Sequence, residues 1–284
     1  MDLYLGAPVA HLHPTGPGYA LAHEMTNNTV IEKYRPLNKL ILDNGADELG
    51  TGQGGMRLAY LTGRLQPNFL ILPDVLHKDK TTREKGEAFY EEMKSSGYQG
   101  KYMGVIQSKS LKKALESYEW WAKSGIVDRI GITYDTQVPN RYYPEWKWGG
   151  RLNLLVNIWE SKVYKRNPMG VHLLGTLDVH ELFILSHWVE FSEMFSTMVE
   201  SHDTTMPYAC DTLFEVGGSS IELGRKKDYP KLDFKQTFDR DRLAVAEFNV
   251  AAYLAACKVS PDDWSHYLGD KATSLFGVFQ RFYD

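Results

Sequence analysis

The sequence predicts an α/β fold, a (β/α)8 TIM-type barrel formed as a single domain over 1–284 with irregular loop insertions. Three observations carry that expectation. Short apolar runs recur along the chain with little polar alternation, as parallel strands buried on both faces require. Segments with helical spacing follow most of these runs. About eight such units fit in 284 residues, a length at which an α/β barrel is ordinarily one domain. A doubly wound open sheet is the competing arrangement.

The expected strands, in order, are Leu3–Leu5, Lys39–Leu42, Phe69–Leu72, Tyr102–Ile106, Val127–Thr133, Val171–Leu174 and a weaker run at Met198–Ser201. Ser219–Leu223 is the eighth candidate. Between them, Ser110–Ser124 places Leu111, Ala114, Leu115, Tyr118 and Ala122 on one stripe, and Gly125 then stops the helix. Thr81–Ser95 has an apolar side at Ala88, Phe89 and Met93 and closes at Gly97. His180–Glu200 reads as one long helix rich in Leu, Phe, Trp and Met. Asp239–Lys258 and the tail after Pro261 are also helical in pattern. Gly6–Thr29, Val138–Gly150 and Lys226–Thr237 read as irregular.

Composition narrows the function classes. Lys plus Arg total 32 against 36 Asp plus Glu, a net charge of −4, so no general cationic field draws in a polyanion. A nucleic-acid partner would need a local basic patch, for which Lys109, Lys112 and Lys113, then Arg225, Lys226 and Lys227, are the candidates. The two cysteines, Cys210 and Cys257, exclude a disulfide framework and a four-cysteine zinc site. The first residues do not read as a signal peptide, and no apolar stretch is long enough for a membrane span. A soluble, cytoplasmic protein (host cytoplasm if phage-encoded) with no membrane partner is expected.

Chemistry in a barrel enzyme sits where strands end and βα loops begin. Read in order, those junctions offer Asp43, Asp74, Gln107, the Gly131-Ile132-Thr133 segment, Gly175 and then Asp203. Any one aspartate after a strand is explained equally well as a helix cap. Three at one barrel mouth, with a glutamine among them, suggest a carboxylate cluster whose members divide acid, base and nucleophile roles.

These junctions resemble the tRNA-guanine transglycosylase superfamily, especially the phage and bacterial relatives that place 7-deazaguanine bases in DNA. Ile41-Leu42-Asp43-Asn44-Gly45-Ala46 is similar to the family's Asp-Ser-Gly-Gly stretch, and Asp74 falls at its base-reading Asp. Gly104-Val105-Ile106-Gln107 resembles the Gly-Ile-Val-Gln strand, and Ile130-Gly131-Ile132 the Ile-Gly-Gly segment. His172-Leu173-Leu174-Gly175-Thr176 resembles Tyr-Leu-Met-Gly-Val, and Ser201-His202-Asp203 the Phe-Asp step that bears the nucleophile. Ala46 and Asp47-Glu48 depart from the pattern, and the Cys-x-Cys-x-x-Cys…His zinc motif of the tRNA enzymes is missing. Those departures favour DNA over tRNA.

The resemblance implies base exchange through a covalent aspartyl intermediate, with no cofactor and no metal. Asp203 is then the nucleophile and Asp43 the general acid/base. Asp74 and Gln107 read the purine edge, with Gly131, Ile132, Thr133 and Gly175 lining the base. The partners implied are a nucleic acid and a 7-deazaguanine base such as preQ0 or a derivative. Extrusion of the target nucleotide would bring Tyr142, Tyr143, Trp146 and Trp148 against flanking bases, and Arg141, Lys147 and Arg151 against phosphates. Gly50–Gly55 is a further candidate for approaching a phosphate, although it lacks the ending of a nucleotide-binding P-loop.

Two other classes remain open on sequence alone. His11-Leu12-His13 after the first strand resembles metal-dependent amidohydrolases, although the further histidines those enzymes need are not at the later strand ends. A non-catalytic partner subunit of a transglycosylase is the other. Oligomeric state is not readable.

Overall fold

The computed structural model describes residues 1–13, 16–49, 55–134, 136, 138–141, 148–210, 212–217, 220–222 and 232–283. Eight strands follow one another in chain order around a closed parallel barrel: β1 (Asp2–Leu5), β2 (Gly18–Leu21), β3 (Leu40–Asp43), β4 (Phe69–Ile71), β5 (Lys101–Ile106), β6 (Arg129–Thr133), β7 (Val171–Leu174) and β8 (Val199–Thr204). Helices α1 (Asn28–Tyr34), α2 (Ala46–Leu49), α3 (Gly55–Leu65), α4 (Asp79–Ser95), α5 (Leu111–Ser124), α6 (Gly149–Glu160) and α7 (Lys162–Arg166) precede β7. Helices α8 (Val179–His187), α9 (Val189–Met198), α10 (Met206–Ala209), α11 (Arg240–Ala256), α12 (Ser265–Leu268) and α13 (Ala272–Phe279) follow it. No helix among the described residues is long and apolar enough to cross a membrane.

The α/β barrel is the expected class, but two of its strands are not where the sequence pattern put them. The barrel closes with β2, which lies inside the stretch expected to be irregular. Tyr19, Ala20 and Leu21 are all buried there, yet Gly and Pro around them conceal so short a run. Of Ser219–Leu223, the described residues 220–222 instead form one strand of a separate antiparallel pair, Glu215–Gly217 with Ser220–Glu222. The expected single helix at 180–200 is also corrected. Trp188 adopts extended backbone (φ −78°, ψ 124°) between α8 and α9, and residue 199 already begins β8. The weak strand at 198–201 therefore moves forward and takes in Asp203.

The chain groups into two compact units, residues 19–35 with 39–174, and residues 1–18 with 36–38 and 175–284. In the first, β3 to β7 pair in register, with Ile41 opposite Phe69, Leu70 opposite Tyr102, and Gly131 between Val105 and His172. The fully buried Trp121 of α5 is the keystone of the α4–β5–α5 packing. Its ring fits because both neighbours are glycines. A Cβ at Gly104 would stand 2.5 Å from the ring, and one at Gly86 2.8 Å from it. Ser110 caps α5 by accepting the Lys113 N–H at 3.4 Å, and Gly125 ends it in the left-handed region at φ 66°.

In the second unit, β1 and β8 pair from Asp2 opposite Ser201 to Leu5 opposite Thr204. Helix α11 is apolar on every side along its C-terminal half, and Val250 to Ala256 are wholly buried. Asn249 on the same helix accepts the Phe214 N–H at 2.9 Å and donates to the Thr212 carbonyl at 3.0 Å. The Tyr253 hydroxyl is shared between the carbonyls of Thr176 and Leu177 at 3.1 and 3.2 Å, tying the helix to the segment after β7.

Candidate active site

The 19–174 unit brings four polar side chains together at the ends of three consecutive strands. Asp43 is the last residue of β3, Asn44 follows it, Asp74 comes three residues after β4, and Gln107 is the first residue past β5. The Asn44 amide donates to the Leu72 carbonyl at 2.9 Å and to Asp74 Oδ1 at 2.8 Å. The Gln107 amide donates to Asp74 Oδ2 at 2.5 Å. Its own orientation is set by the His77 N–H, which donates to Gln107 Oε1 at 3.2 Å. That donation fixes which end of the amide faces Asp74.

Asp43 is held separately. The Tyr19 hydroxyl donates to Oδ2, and the Gly45 N–H donates to Oδ1 at 2.9 Å. Gly45 has to be glycine: its φ is 75°, and a Cβ would stand 2.5 Å from His23 Nδ1.

Burial decides the protonation of Asp74. It is 4% exposed, and desolvation lifts its carboxyl from the ordinary 3.8 to about 7, with the Asp43 charge adding to the rise and the Asn44 and Gln107 amides opposing it. A carboxyl poised there can keep a proton or release it near neutrality. The two amides and a backbone N–H occupy part of its roughly four lone-pair positions, which leaves acceptor capacity for a ligand's N–H group. Asn44 Oδ1 is a further buried acceptor with no hydrogen-bond partner among the described residues. The cluster therefore presents acceptors beside a second carboxylate, a set suited to the donor edge of a planar heterocycle.

The remaining expected residues fare differently. Asp203, 3% exposed, lies in β8 in the other unit. The Gly175 N–H is shared between its Oδ1 and Oδ2 at 3.1 and 3.2 Å, and its backbone carbonyl accepts the Thr176 N–H at 2.8 Å. Gly175 adopts φ 61°, which turns its N–H toward the carboxylate. Gly131 and Ile132 sit within β6, paired on both sides, while Thr133 ends the strand. The lack of a Cβ at Gly131 makes room for Leu174, whose Cδ1 would otherwise stand at 2.7 Å.

Two expectations are corrected. Arg151 does not face a phosphate: it is wholly buried, its guanidinium donating to the carbonyls of Leu174 at 2.7 Å and Ile132 at 3.3 Å. A cation there adds donors to the carbonyls at the ends of β6 and β7, where Leu174 also accepts the Tyr134 N–H at 3.0 Å, and covers the Tyr134 ring at 5.2 Å. Trp148 is likewise fully buried, so it cannot stack on a base. Arg141 is exposed. Tyr142, Tyr143, Trp146 and Lys147 lie outside the described residues, as do 50–54 of the glycine-rich loop and Arg225, Lys226 and Lys227.

His11 serves the fold. Its Nε2 accepts the Phe238 N–H at 2.8 Å, and the two rings stack 4.9 Å apart. No cluster of three or more His, Cys, Asp or Glu side chains that could hold a metal occurs among the described residues.

Sequence reasoning assigned no role to Asn44 or Tyr19. Asn44 carried a usable signal, a carboxamide directly after the strand-end Asp43. Tyr19 carried none, because its strand was not recognised. No protein-family model and no curated protein matches the chain.

Proposed function

We propose that the protein is a glycosyltransferase of the transglycosylase kind, exchanging guanine in a nucleic acid, DNA rather than tRNA, for a 7-deazaguanine base such as preQ0. The observation that supports it most is the Asp43–Asn44–Asp74–Gln107 cluster. Guanine and its 7-deaza analogues share an edge with N–H donors at the ring nitrogen and the exocyclic amine. A buried carboxyl with remaining acceptor capacity, flanked by an amide oxygen that has no partner among the described residues, matches that edge. Because both bases carry it, one pocket serves the leaving and the entering base.

The chemistry is displacement at an anomeric carbon in two steps. The Asp203 carboxylate attacks C1′ of the target nucleotide. The C1′–N9 bond breaks, its electron pair passes to the guanine, and Asp43 supplies the proton that neutralises the departing base. The incoming 7-deazaguanine then gives its N9 proton to Asp43 and attacks C1′. The ester bond to Asp203 breaks, and its pair returns to the carboxylate.

The test is incubation with single-stranded DNA, duplex DNA or tRNA carrying labelled guanine, together with an unlabelled 7-deazaguanine base. Label is expected to leave DNA, and a covalent protein–DNA adduct should appear on a denaturing gel with the parent and disappear with Asp203→Ala. Release from tRNA alone would reverse the choice of polymer. No release from any polymer, or unchanged release by Asp203→Ala, rules the mechanism out.

A further inference from the structure

A cationic groove adjoins the base-reading cluster in the 19–174 unit. It lies where the chain leaves β4 and β5 and enters α4 and α5, has a volume of about 420 Å³, and includes Gln107 in its wall. Five cations line it (Lys78, Lys80, Arg83, Lys109 and Lys113) against two carboxylates, Asp79 and Glu116. Arg83 is occupied by Asp79 at 3.3 Å, and Lys80 pairs with Glu84 at 3.6 Å. Lys78, Lys109 and Lys113 are exposed and have no ion pair among the described residues. In a chain of net charge −4, such a concentration of unpaired ammonium groups in a concavity is a local anion trap.

Two further features point to an anion in this groove. Ser108, in its wall, is 4% exposed, and its hydroxyl oxygen has no hydrogen-bond partner among the described residues. A buried hydroxyl left without a partner is costly, and a ligand oxygen would satisfy it. The groove also takes in the start of α4, a helix of 17 residues whose N-cap, Lys78, provides no side-chain cap. Its first N–H groups and its dipole favour negative charge there.

We infer that this groove holds phosphodiester groups of the nucleic-acid strand whose base enters the Asp74 pocket. The inference rests on the base-exchange reading and names the surface that delivers the polymer. Gln107 belongs to both places, its amide on Asp74 and the residue itself part of the groove wall, so a strand seated in the groove starts beside the base-reading cluster. The Lys side chains carry no sequence information, so the groove should bind strands of any sequence.

The experiment compares the parent with a Lys78→Glu/Lys109→Glu/Lys113→Glu variant and with Ser108→Ala. Affinity for a fluorescein-labelled single-stranded DNA is measured by anisotropy across a salt series, and affinity for the 7-deazaguanine base alone by calorimetry. The triple variant should bind the oligonucleotide at least roughly tenfold more weakly, with a salt slope shallower by about 0.7 for each phosphate no longer neutralised. Ser108→Ala should lose roughly two- to tenfold, the range of one hydrogen bond. Binding of the base alone should not change in the triple variant, whose substitutions are on exposed side chains.

An unchanged affinity and salt slope in the triple variant overturns the groove, even if the parent binds inorganic phosphate there. A parent that binds the base but no oligonucleotide also overturns it while leaving the base reading intact. Conversely, groove-dependent DNA binding with no affinity for the base keeps the groove and removes the exchange reaction.

Discussion

Replacing Asp74 with asparagine tests the electrostatics of the cluster directly. The folded carboxyl titrates at about 7, the unfolded one at the ordinary 3.8. Below the lower value both states hold the proton. As pH rises between the two values, the unfolded chain gives up its proton and the folded chain keeps it, so ionisation favours unfolding. Stability contributed by the protonated form is thus complete below about pH 4 and is lost as pH climbs to about 7. Each pH unit in that window is worth about 1.4 kcal/mol, which sums to roughly 4 kcal/mol. That is a large part of an ordinary folding free energy of about 5–15 kcal/mol.

Asp74→Asn is neutral in both states and removes this dependence. It also loses one acceptor for the Asn44 and Gln107 amides, a cost of about 1–3 kcal/mol. The variant should therefore be less stable than the parent near pH 4, converge on it with rising pH, and equal or exceed it above pH 7. Urea denaturation at unit intervals of pH reads the difference. Parallel stability curves for parent and variant across the window would refute the reasoning, because they would mean that Asp74 ionises alike in both states.

Two other substitutions probe the packing around the site. Gly104→Ala brings a methyl to 2.5 Å from the buried Trp121 ring, and overpacking of that kind should cost about 1–3 kcal/mol in urea denaturation. Adding Trp121→Leu should make the alanine nearly harmless, and a cost that persists would mean the clash lies elsewhere. Arg151→Met removes the side-chain donor shared by the carbonyls of Leu174 and Ile132, while Leu174 keeps the Tyr134 N–H at 3.0 Å. The loss of these charge-assisted bonds should cost about 1–3 kcal/mol in urea denaturation. The salt slope of DNA binding should stay the same in that variant, and a shallower slope would restore Arg151 to the phosphate-binding role the sequence suggested.

The strands that pair β3 to β7 were legible because each is an apolar run between polar junctions, the pattern that burial on both faces imposes. The strand at 18–21 was not, because four residues framed by Pro17 and the loop beyond Leu21 carry too little periodicity to stand out. Ser219–Leu223 misled for the opposite reason: a short alternating pattern also suits a two-stranded antiparallel pair, and only its partner at 215–217 distinguishes the two. The break at Trp188 was hidden because neither Gly nor Pro marks it, and the apolar residues of 182–185 and 191–195 continue a helical pattern through it.

The same division holds for the site. The sequence alone determined that aspartates stand at strand ends, because strand-end position is a local property of the pattern. Only the tertiary structure decided that Asp74 receives amides from Asn44, thirty residues earlier, and from Gln107, thirty-three residues later. It also decided that burial lifts the Asp74 carboxyl to about 7, and that Arg151 turns inward to bond strand-end carbonyls. Desolvation and hydrogen-bond partnership depend on which distant segments are neighbours, and that information is absent from any one stretch of chain.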